Sequence, residues 1–240
     1  MSFQGVNMST LKLYPDARLA RESHPFSGLR GEALAQFDRM NTEITLTRGS
    51  QLFCEGDEPK YVYFVVNGRI KLSVSSREGR TMILRVAEAG QVLGLSAALS
   101  FNEHEVTAEA LEPCRVKAIL VSEFLDLLQN FPEAAMEATH CVLREYRVVF
   151  NDVCRLGLPA TVAGRLANLL LDWLKVRLQN GHDDARFIVP LTQEEIAGMT
   201  GTSRETVSRL MNQFEREKLI CVKGAAVTVL QPEALAQLAM

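Results

Sequence analysis

LTQEEIAGMTGTSRETVSRLMNQFEREKL, residues Leu191–Leu219, is the stretch on which the reading of this chain turns. Thr192 is followed three residues on by Glu195, and Thr202 by Glu205, the spacing of two capping boxes that each open a helix. Between them Gly201 supplies a residue able to take positive φ, which a sharp turn between helices requires. Small Ala197, turn Gly201 and β-branched Val207 stand at offsets 0, +4 and +10, so the two helices can cross at close range. On the second helix Val207, Leu210, Met211 and Phe214 form a buried stripe at i, i+3, i+4 and i+7. Arg204, Glu205, Ser208, Arg209 and Asn212 occupy the opposite face. Those side chains suit base edges in a major groove: Arg to guanine, Glu accepting from cytosine, Asn to adenine. A plain helical hairpin with a solvated face has the same period. Caps, turn glycine, packing residues and an outward Arg/Glu/Arg set together favour a DNA-reading helix-turn-helix.

Composition sets the bounds around this motif. A chain of 240 residues, 47% hydrophobic and 23% charged, is long enough for two ordinary globular domains. No apolar run approaches ~20 residues, so no membrane-spanning helix is expected. The start, MSFQGVNMSTLKLYPDARLARESHP, lacks the basic-then-apolar order of a signal peptide, and cytoplasmic residence is the expectation. Net charge is −3, and residues 158–240 hold nine Lys/Arg against nine Asp/Glu. DNA recognition therefore has to rest on the local placement of Arg204 and Arg209, not on a bulk basic footprint. Cys54, Cys114, Cys141, Cys154 and Cys221 are scattered without CxxC spacing, so neither a metal site nor a disulfide framework is expected. Most of them read as buried free thiols, and no cofactor is called for.

The chain falls into four parts. Residues 1–26 show no clear period and read as a lead-in. Residues 27–131 form a β-rich effector domain, opening with a short amphipathic helix over Ser27–Met40 that would bury Leu29, Leu34 and Phe37. From Ile44 to Val121, short Val/Ile/Phe/Tyr runs punctuated by glycines predict a small antiparallel barrel or jelly roll. Asn67-Gly68 is a strong two-residue hairpin signal and Glu78-Gly79 a weaker one. Ser122–Asn130 reads as a helix stopped at Phe131-Pro132.

Residues 132–157 form a long helix whose stripe of Ala135, Ala138, Val142, Tyr146, Val149, Val153 and Leu156 suits a coiled-coil partner. Packing on its own barrel is the competing use. Val142, Tyr146, Val149 and Val153 are the expected dimer contacts. Gly157-Leu158-Pro159 would be the hinge. Residues 158–240 then hold an amphipathic helix over Ala160–Leu178 with Leu166, Leu169, Leu170 and Trp173 buried, and a loop at Asn180–Asp184. Short strands at Phe187–Val189, Ile220–Lys223 and Val227–Leu230 flank the helix-turn-helix and make it winged. The class is α+β.

This order resembles the cyclic AMP receptor/fumarate-nitrate regulator family of bacterial transcription factors over about residues 27–231. In the barrel the resemblance rests on Phe53, Gly56-Asp57, Tyr63, Val65, Gly68 and Lys71-Leu72. In the DNA domain it rests on Gly164-Arg165, Gln193-Glu194-Glu195-Ile196-Ala197, Gly201 and Ser203-Arg204-Glu205-Thr206-Val207-Ser208-Arg209. It implies that Arg204, Glu205 and Arg209 read a TGTGA-like half-site, with Ser203 and Thr192 near phosphates. It also implies a two-fold dimer on an inverted repeat in double-stranded DNA, RNA polymerase as a partner, and a small-molecule effector in the barrel.

The effector pocket departs from the cyclic AMP receptor pattern. Where that branch has Gly-Glu to hold the ribose, this chain has Gly94-Leu95, followed by Ser96 and Ala97. Val106-Thr107 stands for the Arg-Ser pair that holds the phosphate, and Phe150-Asn151 for the hydroxyls that meet the adenine. Glu103-His104-Glu105 would oppose a phosphate. The expected effector is a small molecule other than cyclic AMP, or there is none. Backbone N–H groups at the Ser96–Leu99 turn keep some capacity for an anion, with Arg85, Arg144 or Arg147 as counter-charge. The alternatives are a redox- or haem-responsive regulator of the same fold and a non-DNA-binding interaction module. An N-terminal iron–sulfur cluster would need cysteines before Cys54, and there are none. For haem, His104 is the one tempting ligand, and as a lone loop histidine it reads as solvated. With no phosphate-binding loop, nucleophile elbow or HExxH helix, an enzyme is not expected.

Overall fold

The computed structural model describes residues 25–40, 42–78, 81–157, 161–179, 184–189 and 191–239. They divide into two compact units, one ending at Val149 and the other beginning at Phe150. The first opens with α1 (Gly31–Arg39) and strands β1 (Thr42–Leu46), β2 (Gln51–Phe53), β3 (Tyr61–Asn67), β4 (Ile70–Ser75), β5 (Thr81–Ala87) and β6 (Val92–Leu93). A short α2 (Leu95–Ser100) precedes β7 (Thr107–Ala110) and β8 (Cys114–Leu120), and α3 (Val121–Asn130) leads into α4 (Pro132–Gly157). The strands pair antiparallel in two four-stranded sheets, β1-β8-β3-β6 and β2-β7-β4-β5. This is a jelly roll of two sheets rather than a closed barrel.

The sequence YVYFVVN of β3 explains the layering. Successive side chains point to opposite faces of a strand, so an unbroken apolar run is stable only where both faces are covered. Tyr63 and Val65 lie in the core between the sheets, with Phe53, Ile70, Leu72, Leu93, Val116 and Ala118. Val62 and Phe64 face the other way, into a second core shared with Phe124 and Leu127 of α3 and Ala134, Ala138 and Cys141 of α4. Four phenylalanines fill the second core. Phe26 stacks on Phe37 at 5.2 Å between centroids and meets Phe64 and Phe124 edge-on at 5.5 and 5.6 Å. Phe26 was expected to end a loose lead-in; instead it is fully buried. Residues 1–24, the remainder of that lead-in, lie outside the described residues. Helix α1 starts at Gly31 rather than Ser27, and Leu34 is 39% exposed, because Leu29 in the preceding turn, Ala33 and Phe37 already fill the core face.

Asn67-Gly68 is not a hairpin. β3 belongs to one sheet and β4 to the other, so the dipeptide turns a corner between sheets. Gly68 makes the corner possible: its φ is +89°, and a Cβ there would lie 2.5 Å from Cys114 Sγ and 2.8 Å from the Pro113 carbonyl oxygen. The weaker signal at Glu78 marks the real hairpin, in which Ser75 of β4 faces Thr81 of β5. Gly79 lies outside the described residues.

The second unit takes in the end of α4, then α5 (Val162–Gln179), β9 (Arg186–Ile188), α6 (Gln193–Thr200), α7 (Arg204–Arg216), β10 (Ile220–Lys223), β11 (Ala226–Val229) and α8 (Pro232–Leu238). The strands form one antiparallel sheet, β10-β11-β9, beside the helix pair α6–α7. Leu166, Leu169 and Leu170 of α5 are buried as expected. Trp173 is half-buried, because its ring edges against Phe187 of β9 at 6.0 Å and leaves its rim to solvent. Helix α8 was not foreseen. Pro232 sits in its first turn, where a missing N–H costs nothing, and Leu235 and Ala236 are buried. Gly157 closes α4, whereas Leu158 and Pro159 of the expected hinge and residues 180–183 of the expected loop lie outside the described residues.

Two substitutions probe this scaffold. Phe64→Ala removes the ring on which the other three converge and is expected to destabilise the β unit by about 3–5 kcal/mol in urea unfolding. Gly68→Ala keeps the core intact but forces a Cβ into the corner; a loss of about 1–3 kcal/mol is expected in the same measurement.

Candidate nucleic-acid interface and effector region

The start of α6 is fixed by a complete capping box. Thr192 Oγ1 accepts from the Glu195 N–H at 3.2 Å, and Glu195 Oε2 accepts from the Thr192 N–H at 2.7 Å. Gly201 ends the helix at φ 62°, ψ 46°, with its own N–H and that of Thr202 returning to the Ala197 carbonyl. The next helix is capped one residue later than its sequence indicates. Ser203, not Thr202, is the N-cap of α7, accepting from the Thr206 N–H at 3.3 Å. The Gly201 turn uses Thr202 as a linker, which shifts Glu205 from the third to the second position of the helix. The stripe Val207, Leu210, Met211 and Phe214 is buried as expected. Two further bonds hold the motif. Arg165 Nε donates to the Thr200 carbonyl at 2.8 Å, satisfying an acceptor at the end of α6. Glu215 Oε1 accepts from the Val222 N–H at 2.7 Å and ties α7 to the wing strand β10.

What remains outward forms one concave surface. A cavity of about 650 Å³ is lined by Gln193, Arg204, Glu205, Ser208, Arg209, Asn212 and Arg216. It gathers the outward residues expected on α7, while Thr192 and Ser203 stand at the helix starts as caps. Gln193 and Arg216 were missed. Arg204, Ser208, Asn212 and Arg216 form one ridge at i, i+4 spacing, so continuing that series one turn further finds Arg216. Glu205 is fully exposed. Its own backbone N–H first, and then the Ser203 hydroxyl, donate to its carboxyl and hold it below the usual range. It is therefore ionised at neutral pH and acts only as an acceptor. Arg forks beside a pure acceptor and an amide can pair in-plane with base edges.

The expected effector residues are arranged differently from a nucleotide cradle. Gly94 precedes α2 without a side-chain cap, and Leu95 is 1% exposed, buried with Ala97 and Ala98. Ser96 Oγ donates to Glu105 Oε1 at 3.4 Å. Val106 is half-buried, and Thr107 Oγ1 accepts from the Glu55 N–H at 3.0 Å. Phe150 and Asn151 belong to the other compact unit, where Phe150 is largely exposed and Asn151 half-buried. Two of the three candidate counter-charges are engaged. Arg85 on β5 is buried and bonds Glu145 of α4 at 2.8 Å, and Arg144 donates to Cys141 Sγ at 3.1 Å. Burial, joined by the charge of Glu105, raises the Glu145 carboxyl despite that guanidinium.

One expectation about sensing groups changes, while that of buried thiols holds for Cys114 and Cys141 and not for half-buried Cys54, Cys154 and Cys221. His104 is not a solvated loop residue: it is 4% exposed, with its ring lying on Phe53 at 3.8 Å and 14°. Burial lowers its pKa, so it is neutral at pH 7. Cys114 and Cys141 are buried and their thiols are pushed up by desolvation, so neither is a ready thiolate. Among the described residues no group of three or more His, Cys, Asp or Glu is placed to hold a metal ion, and no helix is long and apolar enough to cross a membrane.

Along α4 the outward apolar residues are Met136, Leu143, Tyr146, Val149, Phe150 and Val153. Val142 instead packs against the core of its own β unit, because Ala134, Ala138 and Cys141 turn that face inward.

Comparison with known proteins agrees with both units. Residues 164–238 match the model of the Crp-like helix-turn-helix domain, and residues 43–131 that of the cyclic nucleotide-binding domain. The chain is 30% identical over 183 residues to the cAMP-activated global transcriptional regulator CRP of Pasteurella multocida, covering 75% of this chain and 86% of that protein. It is 29% identical over 225 residues to the fumarate and nitrate reduction regulatory protein of Yersinia pestis, covering 93% and 89%. The fold is similar to that of FixK2 from Bradyrhizobium japonicum, with a TM-score of 0.72 and 23% identity over 83% of this chain and 98% of that one. These matches, to a winged helix-turn-helix with a capped helix of outward polar residues and to a jelly roll of this topology, make the chain a member of the CRP/FNR family of DNA-binding transcription regulators.

Proposed function

We propose that the protein acts as a homodimer on an inverted repeat with TGTGA-like half-sites, and that cyclic AMP is not its effector. The observation carrying the DNA reading is the surface of α7, where Arg204, Glu205 and Arg209 line one cavity with Ser208, Asn212 and Gln193. Two arginines suit the guanines of such a half-site, and the ionised Glu205 suits a cytosine N4 donor. Thr192 and Ser203, at the helix starts, are the residues we assign to phosphate contacts. That unit has no net charge, so affinity should depend on these placed contacts and on two copies binding together.

The dimer reading rests on α4. Met136, Thr139, Leu143, Tyr146, Phe150 and Val153 recur at alternating spacings of three and four, the a and d positions of a heptad, and all are exposed in one chain. This face is offset by about one residue from a stripe through Val142 and Val149. A dimer paired along it would carry two α7 helices, one for each half of an inverted repeat.

Three features argue against cyclic AMP. A buried Leu95 stands where a ribose-holding carboxylate is needed, and Glu105 supplies negative charge beside it through Ser96. The Arg85 guanidinium is already held by Glu145. A cyclic phosphate would have to displace that carboxylate and face another.

Selection from random duplexes tests the reading directly: recovery of a TGTGA-like palindrome is expected, with retardation on gels unchanged by added cyclic AMP. Recovery of no sequence would overturn it. Arg204→Ala should cost about 1–3 kcal/mol at one base pair and relax preference there. An equal loss on specific and random duplexes would remove that base contact. Leu143→Glu with Val153→Glu is expected to shift sedimentation from dimer to monomer and to abolish palindrome binding at the same protein concentration; a persistent dimer would place the interface elsewhere.

A further inference from the structure

Two carboxylates flank Arg216 in the chain, and neither engages it. Glu215 Oε1 accepts from the Val222 N–H of β10 at 2.7 Å, and Glu217 Oε1 accepts from the Gln213 side-chain amide at 2.9 Å. Among the described residues no hydrogen bond or ion pair holds the Arg216 guanidinium, which is exposed. A cation in the last turn of a helix commonly serves the final carbonyls. Here the backbone has already satisfied them. The carbonyls of Gln213, Phe214 and Glu215 accept from the N–H groups of Glu217, Leu219 and Lys218 at 3.0, 2.9 and 2.9 Å, and Lys218 takes φ +57° as the chain turns.

What Arg216 does share is a surface. It lines the outward cavity of α7 together with Glu205, Arg209 and Asn212. At about 100° per residue, seven positions bring Arg216 to within about 20° of Arg209 around the helix. That direction is opposite the buried stripe of Val207, Leu210, Met211 and Phe214. At about 1.5 Å per residue, Arg216 stands roughly 10 Å beyond Arg209 and roughly 16 Å beyond Glu205 along the axis. The DNA-binding helix of a helix-turn-helix meets base edges with its N-terminal residues. Its last turn then lies towards the rim of a groove about 12 Å wide, where the available anions are phosphates. A guanidinium with no partner in its own chain, aligned with the reading side chains but displaced along the helix, suits a phosphate and not a base.

We propose that Arg216 is a phosphate contact that extends each half-site beyond the bases met by Arg204, Glu205 and Arg209. The inference rests on α7 being the reading helix. In a DNA-binding unit with no net charge, one placed cation supplies a large part of the attraction to the duplex. Glu215 and Glu217 would cancel it if they were free; their bonds to β10 and to Gln213 hold them elsewhere.

The test measures binding of the full-length protein to its selected palindrome across a range of salt concentrations. Arg216→Gln is expected to reduce the slope of log affinity against log salt by about 0.9 per copy bound, with base preference unchanged. Arg216→Lys keeps the charge and should keep the parent slope. The side chain is exposed, so both variants should match the parent in thermal midpoint. Single methylphosphonates placed along the duplex then locate the partner: at one position beside the half-site the parent should weaken about two- to fivefold and Arg216→Gln should not respond. An unchanged slope in Arg216→Gln would overturn the proposal by marking a solvated helix end. A lost preference at one base pair would overturn it by marking a base contact, and so would a scan in which parent and variant respond alike at every phosphate. A parent that selects no sequence at all would instead overturn the reading of α7, and this proposal with it.

Discussion

Val62 and Phe64 point from β3 into the helices, while Tyr63 and Val65 point from the same strand into the opposite sheet. The β unit is organised by this double burial. A strand that is apolar on both faces must sit between two layers, so it needs a second sheet on one side and a helical cover on the other. The second sheet is supplied by β2, β4, β5 and β7. The cover is supplied by α1, α3 and the first half of α4, with Phe26 and Phe37 closing the end. The order of elements along the chain follows from where each layer has to be reached.

The same constraint places the polar chemistry. With both sides of β3 committed to apolar packing, charged residues of the unit are driven to strand ends, loops and the faces left open. Arg85 is buried and is matched at once by Glu145, as a guanidinium removed from water must be. The loop around His104 carries its carboxylates outward because its inner side is filled by the His104–Phe53 stack. The second unit follows a more local rule. Its buried stripe on α7 and the caps of α6 and α7 are each defined within a few residues, and the outward polar face is simply the side that packing leaves over. A chain with no net positive charge in this unit can still present Arg204, Arg209 and Arg216 together, because helical spacing rather than composition aligns them.

How much could be read without the fold differs between the units for this reason. The capping box of α6, the Gly201 turn and the stripe from Val207 to Phe214 were legible almost to the residue. The shift of the α7 cap from Thr202 to Ser203 was not, since it depends on how many residues the turn consumes. In the β unit the existence of short strands was legible from their glycine-punctuated runs, and their partners were not. Asn67-Gly68 has the composition of a hairpin turn, yet the strands it joins pair with β8 and β6 on one side and β7 and β5 on the other. Leu34 and Val142 were assigned by period to faces that the completed core did not leave for them. His104 could not be recognised as buried, because its partner Phe53 lies 51 residues earlier in the chain.

By itself the sequence determined that this chain carries a winged helix-turn-helix, a glycine-punctuated β domain and a long amphipathic helix. Those are the features that helical period, caps and turn residues write within about ten positions. Only the tertiary structure decided which strands share a sheet, which side of α4 is left exposed, that Arg85 is neutralised by Glu145, and that His104 is enclosed against Phe53. Each of those depends on contacts between residues far apart in the chain. Such contacts form only when burying both faces of β3 outweighs the entropy of bringing distant segments together, and no local pattern records that balance.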